Sequence, residues 1–416
     1  MHEHMRGQVA LAVCVTILCI GGLTLVGLYA APTQSGEIAP LFSDGSSTAL
    51  EAQIIRVIVT ATPAEDNPLA LATPTPLPPC AVLRTPTRNP VRTPTPISVI
   101  VGSQIREFVF YQGAATYVRK DAFAPLLLSK LPRPANDNGR GLHWFPTTFQ
   151  NRAVVDRFVP ELVAMHIRWV VVLQGMNDWD LVANDYLIEQ LQAVGIMPIV
   201  RIVRQVGEMD YRRLGWIVAR YRERGVRYFQ VFNEPNFDEE WGTEAAHTPE
   251  QFATYWAKAA EVVAANGGLP GFAPMAPRLD DSDVVFFTSA LQELQRAGRY
   301  DLLNLMWIGV HNYGGMTANG FWRYRRYEAA VKQILGASLP IIATEGGLET
   351  ASATADSIKS MYGFVERERE PYLLAFAPWL IGNGVGGGHD PIWESAAWFV
   401  GTLDRVQPRQ VVEQVK

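Results

Sequence analysis

The sequence predicts an α/β fold: a (β/α)8 TIM barrel preceded by a single N-terminal transmembrane helix and a Thr/Pro-rich linker. Three observations predict it. Eight short apolar runs alternate with amphipathic stretches from residue 139 onward, an uncharged apolar segment fills residues 8–30, and Thr and Pro dominate much of what lies between. The expected division is a cytoplasmic N-terminus at 1–7, a membrane anchor at 8–30, an extracellular linker at 31–98, an N-terminal extension of the barrel at 99–138 and the barrel domain at 139–416.

The chain has 416 residues, 48% of them hydrophobic and 19% charged, enough to bury a large core. A formal net charge of −5 supplies no basic field for a phosphate backbone, so nucleic acid is not an expected partner.

Gln8 to Ala30 carries no charge and is long enough to cross a hydrocarbon core of about 30 Å as a helix. Arg6 precedes it and no Lys or Arg follows until Arg56, a bias that leaves the N-terminus in the cytoplasm and the bulk of the chain outside. The alternative is secretion after signal-peptide cleavage. The apolar run is long for that, and Tyr29-Ala30-Ala31 makes a poor cleavage site. Cys14 and Cys19 follow Val13 and Leu18, so neither sits in a lipobox, and Cys80 alone lies beyond the segment, which leaves the exported part without an intramolecular disulfide.

Repeats such as Ala72-Thr-Pro-Thr-Pro-Leu-Pro-Pro79 favour extended, solvated backbone, so the linker should hold the domain away from the bilayer. The run Gln53 to Val59 interrupts it with a strand-like stretch. Residues Gly102 to Pro134 admit an accessory sheet, a barrel plug or a wrap around the barrel.

The predicted barrel strands are Gly141–Phe145, Ile167–Leu173, Met197–Val203, Tyr228–Phe232, Gly271–Ala276, Leu303–Val310, Pro340–Thr344 and Tyr372–Leu380. Between them lie helical patterns at 153–165, 184–194, 210–224, 249–265, 283–297, 321–335 and 354–367, with Glu394–Leu403 closing the series. Alternation at this spacing over about 265 residues matches a barrel. A doubly wound sheet would be supported by a phosphate loop, yet Gly384-Val-Gly-Gly-Gly388 has neither dinucleotide nor P-loop spacing and reads as a loop beside the site.

Barrel chemistry sits at the C-terminal ends of strands, and there the sequence places Asn233-Glu234-Pro235 after strand 4, His311-Asn312-Tyr313 after strand 6, Glu345 after strand 7 and Trp379 near the end of strand 8. Two carboxylates at such positions suggest glycoside hydrolysis. On these residues the chain resembles the clan A glycoside hydrolases, retaining (β/α)8 enzymes of the cellulase and xylosidase kind, over about Gly139 to Leu403. The resemblance implies a glycosidase-like domain with Glu234 as acid/base, Asn233 on the sugar 2-hydroxyl, Glu345 as nucleophile, Tyr313 bonded to it, His311 lining the site and Trp379 as sugar platform. It departs from that clan at strands 2 and 3, where Trp169-Val-Val-Val-Leu-Gln174 lacks the usual Arg, and Arg201 and Arg204 replace the usual His. Arg204 is the candidate for the missing Arg.

His143 ends strand 1 and is a further candidate for lining the site, as is Trp144. Trp179, Trp241, Trp322 and Trp393 are the other loop tryptophans that sugar rings could stack on, with two of these five expected to touch sugar. Trp169, Trp216, Trp256 and Trp398 are assigned to packing. Asp178, Asp180, Glu239, Glu240 and Glu244 read first as solvated loop charges, and His166 and His247 as structural. No metal-ligand spacing and no GxSxG elbow occur, so neither a cofactor nor a serine nucleophile is expected. The expected enzyme is a membrane-tethered retaining glycosidase; the alternative is an inactive barrel that binds polysaccharide in the same cleft.

Overall fold

The computed structural model describes residues 13–20, 23–30, 97–101, 104–111, 114–117, 121–145, 150–242, 247–348, 351–383, 397–400 and 403–404. The chain divides into two compact units, Met1–Thr87 and Arg88–Lys416. In the first, β1 (Val13–Ile20) and β2 (Leu23–Ala30) pair antiparallel, with Ile20 opposite Leu23. This differs from the helix predicted across 8–30. The segment is rich in Val, Ile and Thr, which favour strands. Among the described residues no helix is long and apolar enough to cross a membrane.

The second unit opens with an antiparallel meander of β3 (Ile97–Val101), β4 (Gln104–Tyr111) and β5 (Ala114–Tyr117). The barrel follows: β6 (Gly141–His143), β7 (Trp169–Gln174), β8 (Met197–Ile202), β9 (Tyr228–Val231), β10 (Leu269–Phe272), β11 (Trp307–Tyr313), β12 (Ile341–Gly347) and β13 (Leu373–Phe376). All eight are parallel neighbours in sequence order, and Arg140 bridges Phe376 to bring the last strand back to the first. That closure excludes the doubly wound sheet.

Helices α1 (Arg152–Ala164), α2 (Asp178–Ala193), α3 (Tyr211–Glu223), α4 (Pro249–Ala265), α5 (Ser282–Arg296), the short α6 (Tyr300–Leu303), α7 (Tyr324–Leu335) and α8 (Ala351–Arg367) connect them. Side chains of Asn151, Asn177, Asp210 and Thr248 cap the first four by accepting backbone N–H bonds. The predicted sixth strand began too early because Leu303 ends α6. The predicted closing helix at Glu394–Leu403 is also corrected: Phe399–Val400 (β15) and Leu403–Asp404 (β16) join Gly382–Asn383 (β14) in a small sheet. Trp398 and Phe399 are buried there, so the apolar pattern read as a helix face serves a strand packed on Phe158 of α1.

Strand parity sorts the barrel into two cores. Val170, Val172, Val200, Phe229, Val231, Ile308 and Val310 face outward to meet helix residues such as Leu214, Ile217 and Trp256. Trp169, Ile199, Tyr228, Leu269, Trp307 and Ile342 face inward. Trp169, Tyr228 and Trp307 start the second, fourth and sixth barrel strands and meet edge to face, the single layer that alternate strands of a barrel contribute. A Cβ at Gly271 would lie 2.3 Å from the Trp307 ring, so glycine makes room for the indole.

The segment before β6 closes this end. Leu126, Leu128 and Leu131 pack against the inner core, Tyr228 donates to the Pro132 carbonyl at 2.7 Å, and Trp169 Nε1 donates to Asp137 at 2.8 Å. Of the alternatives open for Gly102–Pro134, both a sheet (β3 to β5) and a plug (126–132) occur. With one mouth filled by aromatics and leucines, the C-terminal mouth is the open end, the one where barrel enzymes place their chemistry.

Candidate active site

The two glutamates come to that mouth by different devices. Glu234 follows β9 with φ +33°, two residues after Phe232 at φ +66°. Left-handed backbone at two non-glycine residues costs on the order of 1–3 kcal/mol each and persists only when neighbours enforce it. Here the Glu234 N–H donates to Pro274 O at 2.9 Å, and its carbonyl accepts from Phe237 N–H at 2.8 Å.

Glu345 depends on a β-bulge. Ile342 faces inward and Ala343 outward, so strict alternation would turn Glu345 away from the barrel axis. The register slips at this point: Val310 opposes Ala343, but His311 opposes Glu345, which leaves Thr344 as the extra residue. The slip restores Glu345 to the inner face beside His311.

His311 joins the pair. Its Nδ1 lies 2.7 Å from Glu234 Oε1 and its Nε2 3.6 Å from Glu345 Oε1. With one imidazole touching both, and its nitrogens about 2.2 Å apart, the two oxygens are separated by at most roughly 8.5 Å, a ceiling that includes both the retaining and the inverting spacing of paired glycosidase carboxylates.

The environments of the two acids differ. Arg201 bonds Glu345 Oε1, and the Tyr313 hydroxyl donates to Oε2 at 2.6 Å. Burial alone would raise the Glu345 pKa, but the adjacent His311 ring, the Arg201 guanidinium and the Tyr313 hydrogen bond together hold it well below the usual carboxylate range. Tyr313 is pushed far above the usual phenol range, first by burial and then by Glu345, and so remains a donor. Glu234 is more open, its side chain 19% exposed against 8% for Glu345.

His143 is fully buried and packs its ring at a tilt against Trp379, 4.2 Å between centroids, the residue after which the chain turns into a cis peptide bond with Leu380. Burial outweighs the nearby Glu345 and lowers the imidazole to about 3. It is therefore neutral at neutral pH, both ring nitrogens lack protein partners, and Arg201 is left as the permanent cation on Glu345.

Asn233 Nδ2 donates to Glu240 at 2.8 Å, and its Oδ1 is buried without a partner. Thus Glu234, Glu345, Asn233, His311, Tyr313, His143 and Trp379 gather around one mouth. Two predicted residues do not. Trp144 is buried in the outer core against Phe145 and Phe158, because it lies one residue past His143 and takes the opposite parity. Arg204 lies beyond the end of β8 and pairs with Glu208 at 2.8 Å on the surface. Arg201 stands where Arg204 was expected. Alternation from Ile199 puts it on the inner face, a signal present in the sequence.

Among the other loop tryptophans, Trp241 is fully buried and stacked on His247, and Trp322 packs on Phe364 under Arg325. Trp179 is 81% exposed. Trp393, Glu244 and the glycine run 384–388 lie outside the described residues. Among the described residues no group of three or more His, Cys, Asp or Glu is placed to hold a metal.

No protein-family model and no curated protein matches the chain. Solved structures do. An endo-β-1,3-glucanase of GH128 subgroup II from Sorangium cellulosum is 17% identical, with 66% of this chain and 98% of that one covered at a TM-score of 0.44. An endo-β-1,4-glucanase from Xanthomonas axonopodis pv. citri is 10% identical over 66% and 98% at 0.46. An exo-β-1,4-mannosidase from Opitutaceae bacterium strain TAV5 is 9% identical over 72% and 61% at 0.45. At these scores the reading of the site rests on its own geometry.

Proposed function

We propose that the protein is a retaining O-glycosyl hydrolase acting on a β-linked glycan outside the cell. The observation that carries this reading is the unequal treatment of two carboxylates joined by one histidine. Glu345 has a guanidinium and a phenol holding its charge, whereas among the described residues the Glu234 carboxyl is bonded by the His311 ring and is the more exposed of the two. Glycoside hydrolysis by two carboxylates needs that division of labour, one acid kept ionised and one able to carry a proton, and the double displacement is the form of it proposed here.

In the first step Glu345 attacks the anomeric carbon as the bond to the leaving oxygen breaks, and Glu234 delivers its proton to that oxygen. In the second, Glu234 takes a proton from water, the water oxygen bonds to the anomeric carbon, and the Glu345 ester is released. His311 lies against both acids and holds their carboxyl groups relative to one another. Trp379 supplies an apolar face to the sugar, with the neutral edge of His143 packed beside it.

The uncharged segment 8–30 and the absence of Lys or Arg from there to Arg56 support export with the chain held at the membrane. Protease protection in intact and permeabilised cells tests that placement. Activity is tested on a panel of aryl β-glycosides and polysaccharides, with the anomer of the first product followed by NMR. Retention, and its loss in Glu345→Gln and Glu234→Gln, is the expected outcome. Binding without cleavage across the panel would replace the enzyme with a carbohydrate-binding barrel.

A further inference from the structure

We infer that Glu240 is a positioning residue that fixes the Asn233 carboxamide for a hydroxyl of the bound sugar, an inference that rests on the glycosidase reading. Glu240 ends a single 3-10 turn, Asp238–Glu240, in the loop after β9, six residues past Glu234. Its Oε1 accepts from Asn233 Nδ2 at 2.8 Å. A carboxylate can only accept, so while ionised it selects one of the two amide orientations, with nitrogen toward Glu240 and oxygen away.

That leaves Asn233 Oδ1 as the acceptor for substrate. It is buried and has no partner. An orphan acceptor of this kind carries a desolvation cost of about 1–3 kcal/mol, which a sugar hydroxyl donating to it would remove. The chain has left the ladder at Val231 and runs through left-handed residues on either side of Asn233, and Glu240 reaches the amide from the loop that follows.

The loop is well anchored for the task. Trp241, next in sequence, is fully buried, and its Nε1 donates to Pro235 O at 2.7 Å, while Gln205 Nε2 donates to Glu239 O at 2.9 Å. Burial raises the Glu240 pKa, with the Asn233 bond and the Arg201 charge working against it and Glu234 and Glu345 adding to it.

The test uses the full chain, the aryl β-glycoside it turns over fastest and the 2-deoxy analogue of that compound. In wild type, losing the hydroxyl should lower kcat/KM about tenfold or more, chiefly in kcat, since such bonds strengthen in the transition state. In Glu240→Ala the two substrates should converge to within about threefold, as in Asn233→Ala, and the double variant should be no worse than Asn233→Ala alone. Glu240→Gln, whose amide oxygen can still accept, should restore most of the preference. Equal losses on both substrates in Glu240→Ala, or additive effects in the double variant, would overturn the inference.

A second readout needs no substrate. The Asn233 side-chain amide protons, assigned by their absence in Asn233→Ala, should exchange more slowly with solvent in wild type than in Glu240→Ala. If no glycoside in the panel is cleaved, the glycosidase reading fails, and an unchanged amide signal in Glu240→Ala overturns the Glu240 assignment separately.

Discussion

His143 offers a quantitative test of the electrostatics at the barrel mouth. Two forces compete on its ring: burial favours the neutral form, and Glu345 favours the cation. Burial wins, and the pKa falls from 6.5 to about 3. In the unfolded chain the imidazole binds a proton near pH 6.5, whereas in the folded chain it stays neutral. The contribution is therefore fully present above pH 6.5 and is lost as pH falls toward 3. At 1.36 kcal/mol per pH unit, the interval from 6.5 to 4.5 contains about 3 kcal/mol, and the whole window about 5. No discount for solvent applies, because His143 is 0% exposed. Urea unfolding at pH 7 and pH 4.5, on wild type and His143→Gln, isolates this contribution because the other histidines cancel in the comparison. Wild type should lose about 3 kcal/mol more than the variant. An equal loss, or a smaller one in wild type, would refute the reasoning: His143 would then be a cation paired with Glu345, and the neutral edge ascribed to it would be wrong.

Arg201→Met removes the permanent cation from Glu345, so the acid limb of the kcat/KM profile should move to higher pH, measured on any aryl glycoside the enzyme cleaves. Tyr313→Phe removes the second bond and should move the same limb in the same direction with the fold intact by circular dichroism. Trp144→Ala should cost about 3–5 kcal/mol of stability by urea unfolding and leave KM unchanged, as a core residue and not a sugar platform. Arg204→Ala should change stability by no more than about 1 kcal/mol and leave activity unaltered, because its partner Glu208 is a surface one.

Much of the barrel was legible because its rules are local. Eight apolar runs with helical patterns between them recur at βαβ spacing, and each run found its strand. Errors came where two structures share one pattern. Trp398-Phe-Val400 fits a helix face as well as a short strand, and only its packing on Phe158 selects the strand.

The sequence by itself determined which residue types stand at the ends of the strands: the glutamates, Asn233, His311, Tyr313 and His143 are at the mouth because strand ends are set by local hydrophobic runs. It also contained the parity that puts Arg201 inside and Trp144 outside. Tertiary structure alone decided the orientation of the second carboxylate. Glu345 faces the axis only because one residue, Thr344, is left over between two neighbouring ladders. Register between strands is a property of the paired sheet, and a slip of one residue reverses the face of everything after it.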